Sequence, residues 1–555
     1  MSNFFQFLSV SENDNNIFKN ISREFKIAFG STIIIGLIAH IFVFINPIFQ
    51  HDASFIYWET LSFGQASANS RWLVPLWMLL FRNVFQPWLC GFLTLVFYGI
   101  SSYFICRYFD ISRTLSIVFV SGLLVTAPTV ISSNMYLSSA YIYAAALMLS
   151  VLSAYCYDKV KHGWILGFVF MFLCGGTYAA YISFGVSLFI LRKILTFING
   201  ELPSFKTAFI NHIGYCIISG AALVANVAVL VIFGKQESIR GTTIASNSKP
   251  LFDIIYDFFY YGIQNYFKTI NYFLPTGKIS YMQQAPVFYA LFCIAAALTL
   301  FLCIYIVVKN KLYKKFVTCI LLADVLILPF AMDILGAVAE SHLLMQGAFI
   351  LPVLMIIFVY EAICKNNNLI EFLHSVKNKV SFGMVYTSII FIFALFTIAN
   401  RTQLANVAYT KAYLNYQAGV NHANRIVMQV ENTEGYIPGQ TKVMFVGVIK
   451  HSDHGGAFKF ADDITGIGSP IWDTSIIGTY SLKAFINQIL NVDMDIIDTL
   501  NYVDGKKAEE FLVELDPAFK GISGSIDALD AYSTDNCYIL QNDVLILKIS
   551  ERQTY

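Results

Sequence analysis

From about residue 27 to residue 399 the chain runs apolar in lengths near twenty residues, cut by short charged loops. Such lengths match the hydrocarbon thickness of a bilayer at 1.5 Å of rise per residue. Lipid offers no partner to a backbone amide, so segments of this kind are helical. Of 555 residues, 57% are hydrophobic and only 13% charged, and the mean hydropathy is +0.62. That balance excludes an ordinary soluble domain. Spans are predicted at 27–48, 87–106, 114–132, 134–157, 208–234, 286–308, 315–335, 343–363 and 383–399. The run 163–191, broken at Gly175 and Gly176, divides into two short ones, giving about eleven in all. The net charge of +1 argues neither for nor against nucleic acid, which is set aside because no basic stripe occurs.

Lys and Arg gather in alternate loops. One side takes Lys26, Arg107, Arg113, Lys159, Arg192, Lys206, Lys309, Lys315 and Lys365, while the turns near Ser133, Thr177 and Gly336 carry none. The positive-inside rule puts the basic side and the N-terminus in the cytoplasm, with residues 1–26 an interfacial segment. Acidic and polar residues before the first span argue against a cleavable signal. Loops 49–86 and 235–285 and everything after residue 400 then face outward. The expected fold is a multi-span α-helical membrane domain, 27–399, followed by an outer α/β domain, 400–555. Within that domain the pattern predicts a long helix over 405–431, a buried strand over 443–448 and a helix over 506–515. A strand pair is expected over 538–549, around Asn542-Asp543. Nine of the ten cysteines lie in or beside apolar spans and no CxxC occurs, so neither a disulfide framework nor a metal site is indicated.

The outer loop FQHDASFIYWETLSFGQASANSRWLVPLWMLLFR concentrates His51, Asp52, Glu59, Arg71 and Arg82 at the membrane edge. Charge so close to hydrocarbon is costly and usually serves a function. Asp52, at the end of the first span, is the candidate general base. Arg71 offers a planar fork that suits phosphate, and Arg82, on an interfacial helix expected over 72–85, is the second candidate. A solvated loop carboxylate and arginines anchored to head groups are the competing readings. Glu59 reads as a loop residue or as the partner of Arg71, and His51 as a tuner of Asp52 or its mere neighbour. Asp333, near the outer end of span 315–335, reaches toward the same cavity, as do Glu340 and His342 in the next turn. Asp324, nearer mid-membrane, suits a pair within the bundle. Loop 235–285 carries Arg240, another candidate phosphate ligand, and aromatics from Tyr256 to Phe267. Stacking on sugar and lying on the outer leaflet explain those aromatics equally well.

The order of these features resembles the bacterial and phage O-antigen serotype-converting glucosyltransferases (type II Gtr-like), whose architecture is GT-C-like. The carrying segments are HDASFIYWETLSFGQASANSRWL after the first span, SNMYLSSAYIYAAALML, GGTYAAYISFGVSLF, and ANVAYTKAYLNYQAGVNHANRIVMQVENTE after the last span. They cover most of the membrane region. The family's acidic pair is His51-Asp52 here, its Gly before Arg is Ser70, and a basic residue often found after the pair has no counterpart among residues 53–57. The resemblance implies transfer of glucose from undecaprenyl-phosphate-glucose to a lipid-linked O-antigen or other polysaccharide, on the periplasmic face of the inner membrane. It further implies inversion with Asp52 as base and Arg71 on the leaving phosphate, beside a small flippase and a lipid-loading glucosyltransferase. No cofactor is expected, since no acidic cluster resembles a Mg²⁺ or Mn²⁺ cage. An O-antigen polymerase or ligase remains the alternative that loop 235–285 favours. A lipid-linked saccharide flippase or transporter would instead need key charges at mid-membrane, where only Asp324 fits.

Overall fold

The computed structural model describes residues 22–46, 48–49, 71–80, 82–200, 202–233, 251–274, 286–334, 342–365, 382–447, 449–450, 475–477, 479–497, 504–531 and 536–550. The candidates His51, Asp52, Glu59, Arg240 and Glu340 lie outside the described residues.

The first helix, α1 (Arg23–Ile45), opens where the Ser22 hydroxyl accepts the Phe25 amide. A six-residue helix, α2 (Val74–Leu79), stands where a helix over 72–85 was predicted. Arg82 falls beyond its end, exposed and at φ 51°, so it is not carried on an interfacial helix. Then α3 (Pro87–Tyr108) starts on a proline, whose missing amide costs nothing at a helix start. Helices α4 (Thr114–Val125) and α5 (Pro128–Met135) meet at a 42° bend at the proline, and α6 (Leu137–Lys159) follows.

Next come α7 (Trp164–Tyr178) and α8 (Ile182–Ile198), joined by the turn Ala179–Tyr181. The chain reverses there. Asp110 ties both Lys159, just before α7, and Arg192, late in α8, at 3.4 and 2.7 Å. A Cβ on Gly185 would stand 3.2 Å from Met171 across the hairpin. Gly175 and Gly176 remain helical; the break is at Tyr178, with φ −159°.

Helices α9 (Phe205–Phe233), α10 (Leu251–Tyr272), α11 (Pro286–Lys309), α12 (Thr318–Ala331) and α13 (Leu351–Lys365) complete the bundle with the first half of α14. Among the described residues, eight helical segments are long and apolar enough to cross a membrane, with α7 and α8 counted together as one (Trp164–Ile198), or nine if the bent α4–α5 pair is one span. The segment α12, with Pro329 inside it, is only 14 residues long.

The basic loops meet at one end of the bundle, where their charges are neutralised. Besides Lys159 and Arg192, Asp110 receives Lys365 on its carbonyl oxygen, and Lys193 pairs with Asp158. Glu361, 1% exposed, reaches from α13 to the start of α4. Its carboxylate accepts the Ser112 and Arg113 amides at 3.1 and 3.2 Å and the Ser116 hydroxyl at 2.8 Å. It thus caps a helix that has no capping side chain of its own.

Helix α14 (Phe382–Glu431) runs unbroken for 50 residues, so the last apolar run and the helix predicted over 405–431 are one element. Beyond it, β1 (Lys442–Val446), β4 (Tyr538–Gln541) and β5 (Val544–Lys548) form a sheet in the order β1-β5-β4, with β1 and β5 parallel. A second small sheet pairs β2 (Ile449–Lys450) with β3 (Ser475–Ile477). Helix α15 (Thr479–Ala484) follows β3, and α16 (Gly505–Leu515) and α17 (Ser523–Asp527) precede β4. Side chains alternate across β1 as a pleated strand requires. Val443 and Phe445 face Ala423, Ile426 and Val430 of α14, while Met444 and Val446 face Ala508 and Leu512 of α16. Asn542 and Asp543, both at positive φ, make the tight turn between β4 and β5.

Candidate active site

The end of the bundle opposite the basic loops is built around the α7–α8 turn. Trp72 lies flat on Gly176, where an added Cβ would stand 2.3 Å from the indole. Its Nε1 donates to Asn226 Oδ1 at 2.7 Å, and Asn226 is itself pressed against Gly175. The two glycines are therefore a notch that admits one indole and one amide, not a hinge. The Leu73 amide donates to the Gly176 carbonyl at 2.9 Å, and the Trp77 indole donates to the Thr177 hydroxyl at 3.3 Å. Tyr141 donates its hydroxyl to the Trp77 carbonyl at 3.2 Å.

This anchoring places Arg71. Its guanidinium carbon stands 4.8 Å from the centre of the Tyr178 ring, a cation–π distance. Tyr178 packs on Tyr143 at 4.7 Å and lies 5.9 Å from Tyr181. Tyr181 donates to the Leu344 carbonyl at 3.2 Å and is pressed by Gly347. Two residues on, Phe349 meets Tyr272 of α10 edge-on at 4.7 Å. Buried side chains thus run from Arg71 through Tyr178 and Tyr181 to Gly347, and from Phe349 to Tyr272, which lies within electrostatic range of Arg401 of α14. Arg401 is 2% exposed, and its Nε and Nη1 find no acceptor among the described residues.

Asp333 is buried just past α12, and its carbonyl oxygen accepts Asn265 Nδ2 of α10 at 2.7 Å. Asp333 thus sits on the α10 side of this end, whereas Arg71 sits on the α7 side. His342 is exposed where the turn Leu343–Met345 begins. Asp324 is withdrawn from this region and pairs with His212 of α9 at 3.0 Å. That pair lines a cavity of about 460 Å³ with Lys193 and Asn211, toward the basic end. Helix α10 buries Gly262, Asn265, Thr269 and Tyr272, one helical face. Tyr256, Phe259 and Phe267 are exposed on its other sides, the arrangement of a helix whose apolar side meets lipid.

Phe49, next to the loop that carries Asp52, packs edge-on against Phe85 at 5.8 Å and Tyr416 of α14 at 6.0 Å. His40 of α1 joins this end through Tyr409 of α14, with Nδ1 2.8 Å from the hydroxyl, and through the Val125 carbonyl. Sequence reasoning did not single out His40, Asn226, Asn265, Glu361 or Arg401. The only signal for Arg401 was a charge ending the last apolar run, which any span shows.

Comparison with known families adds one finding. A family model described as Glucosyl transferase GtrII matches residues 41–355, which take in Arg71, the α7–α8 turn and the residues flanking Asp333. No curated protein and no solved structure matches the chain.

Proposed function

The chain belongs to the GtrII glucosyl transferase family, and we propose that it moves glucose from undecaprenyl-phosphate-glucose to a lipid-linked O-antigen or related polysaccharide. Transfer takes place on the periplasmic face of the inner membrane, at the bundle end opposite the basic loops. The acceptor hydroxyl attacks the anomeric carbon from the side away from phosphate. Asp52 takes the hydroxyl proton as the new C–O bond forms. The old bond breaks with its electron pair leaving on undecaprenyl phosphate, and the configuration inverts. Arg71 meets the charge that grows on the departing phosphate through two parallel N–H groups.

The observation that supports this reading best is the mounting of Arg71. A guanidinium is held over Tyr178, on a turn notched to receive Trp72, inside the region the family covers. Fixed donors aimed at developing charge are the main resource of an enzyme that handles phosphate leaving groups. The residues after α14 fit the part of an acceptor platform, and a small flippase and a lipid-loading glucosyltransferase would supply the donor.

The test uses purified protein in nanodiscs with undecaprenyl-phosphate-[¹⁴C]glucose and an O-antigen lipid. Asp52→Asn is expected to lose transfer by several orders of magnitude while still binding donor. Near-normal transfer would remove Asp52 as base and direct attention to Asp333 and Glu340. Absence of transfer by the unaltered protein from any lipid-phosphate monosaccharide would overturn the reading as a whole.

A further inference from the structure

We infer that Arg401 is a second anion subsite, receiving the phosphate of a lipid phosphate that enters beneath α10; the identity of that lipid as the donor rests on the function proposed above. A guanidinium shut away from water is costly unless something accepts its N–H groups. Elsewhere in the molecule that requirement is met. Arg192 reaches Asp110, Asp324 pairs with His212, Glu361 accepts several donors, and Lys548 donates to the Asp527 and Leu529 carbonyls. Arg401 is as deeply buried as any of these, and among the described residues nothing accepts from its Nε or Nη1. Among the described residues, the titratable side chain that acts on it is Tyr272.

Its surroundings are polar in the same unfinished way. The side-chain oxygen of Asn400, next in the chain, has no donor among the described residues. Because α14 is unbroken through Arg401, its own backbone amides are committed within the helix and supply nothing to an anion. The guanidinium is the attracting group.

What favours a lipid as the occupant is α10. Tyr272, on the buried side of this helix, lies within electrostatic range of Arg401, while Tyr256, Phe259 and Phe267 are exposed to the surroundings. A phosphate borne on a prenyl chain passes from the lipid side of α10 to the guanidinium by following that one helix. Inorganic phosphate carries no chain for the exposed aromatics of α10 to guide. The buried residues from Tyr272 and Phe349 through Gly347 to Tyr181 and Tyr178 lead on to Arg71, so the phosphate met by Arg401 and the one Arg71 stabilises would belong to one lipid.

The experiment is a thermal-shift and binding series in phosphatidylcholine nanodiscs, without any sugar. Undecaprenyl phosphate is expected to raise the melting temperature of the unaltered protein, whereas undecaprenol and inorganic phosphate at the same concentration are not. Arg401→Met is expected to raise the melting temperature of the lipid-free protein, because an unmatched buried charge is removed. The same variant should bind undecaprenyl phosphate at least tenfold more weakly, with Arg401→Lys intermediate. A lowered melting temperature with unchanged affinity would make Arg401 a structural residue and overturn the inference. An equal shift from phosphatidylglycerol would make the site a general head-group contact, and an equal shift from inorganic phosphate would remove the lipid; either overturns it. Binding is read apart from transfer, so phosphate capture and glucose transfer succeed or fail separately.

Discussion

The two ends of the helical bundle treat charge in opposite ways. At the basic end, carboxylates and cations are matched: Asp110 gathers Lys159, Arg192 and Lys365, Lys193 has Asp158, and Glu361 closes the start of α4. At the other end, Arg71 rests over an aromatic ring, and Arg401 has two nitrogens without an acceptor among the described residues. The first end is complete as folded and serves stability. On the inference drawn above, a ligand would meet the cost of Arg401 at the second, which is how a binding site differs from a structural ion-pair network.

Substitutions at the two ends should therefore fail differently. After Asp52→Asn, the largest effect is expected from Arg71→Ala, which should lower the transfer rate by about 10²–10³ while leaving the melting temperature almost unmoved. Transfer by the nanodisc-held enzyme and calorimetry of the same sample read the two quantities together. Glu361→Ala should do the reverse. Stranding the Ser112 and Arg113 amides should cost about 3 kcal/mol of stability with unchanged turnover per folded molecule. If Glu361→Ala silenced a fully folded enzyme, the contrast between the ends would break.

A third variant sharpens the contrast within the open end. Gly176→Ala puts a methyl where Trp72 lies, so the indole and the chain at Arg71 must shift. A loss of about 1–2 kcal/mol is expected, with a fall in transfer larger than that loss of folded protein explains. Tryptophan fluorescence would report the displaced ring.

The smallest effect belongs to neither end. In the C-terminal α/β segment, the Ser523 hydroxyl and the Gly521 and Ser523 amides hold the Glu509 carboxyl below its ordinary pKa. A depressed carboxylate adds stability above its unfolded pKa, and that contribution is lost as pH falls through the lower folded value. Glu509→Gln should therefore melt slightly earlier than the unaltered protein at pH 7 and no earlier at pH 3. A difference that persists at pH 3 would show that packing, not charge, is responsible.

Much of the scaffold was legible because lipid enforces a simple rule. Apolar length placed the helices, and Lys/Arg bias sorted the loops that Asp110 indeed draws together. The strand at Val443 and the Asn542-Asp543 turn were visible because pleat period and positive φ are local properties. The glycine pair was seen for the wrong reason: Gly175 and Gly176 signalled a break, whereas their small size serves Trp72 and Asn226. Arg82 was assigned to a helix that ends before it. Arg401 was invisible because its burial comes from tertiary packing, and no local pattern encodes that. Asp52 lies outside the described residues, and its role rests on the sequence alone.

The 50-residue helix α14 sets a phase as well as a distance. Its membrane portion is clamped by α1, where Tyr409 takes His40, and its far portion supplies Ala423, Ile426 and Val430 to the sheet core. One inserted residue between those two clamps would rotate everything beyond by about 100° for only 1.5 Å of rise. Seven would restore the facing to within about 20° and lift the sheet by roughly 10 Å. The spacing of the sheet from the bilayer is thus quantised in near-heptads, and a lineage that needed to fit a taller or shorter acceptor would have to change this helix in those steps.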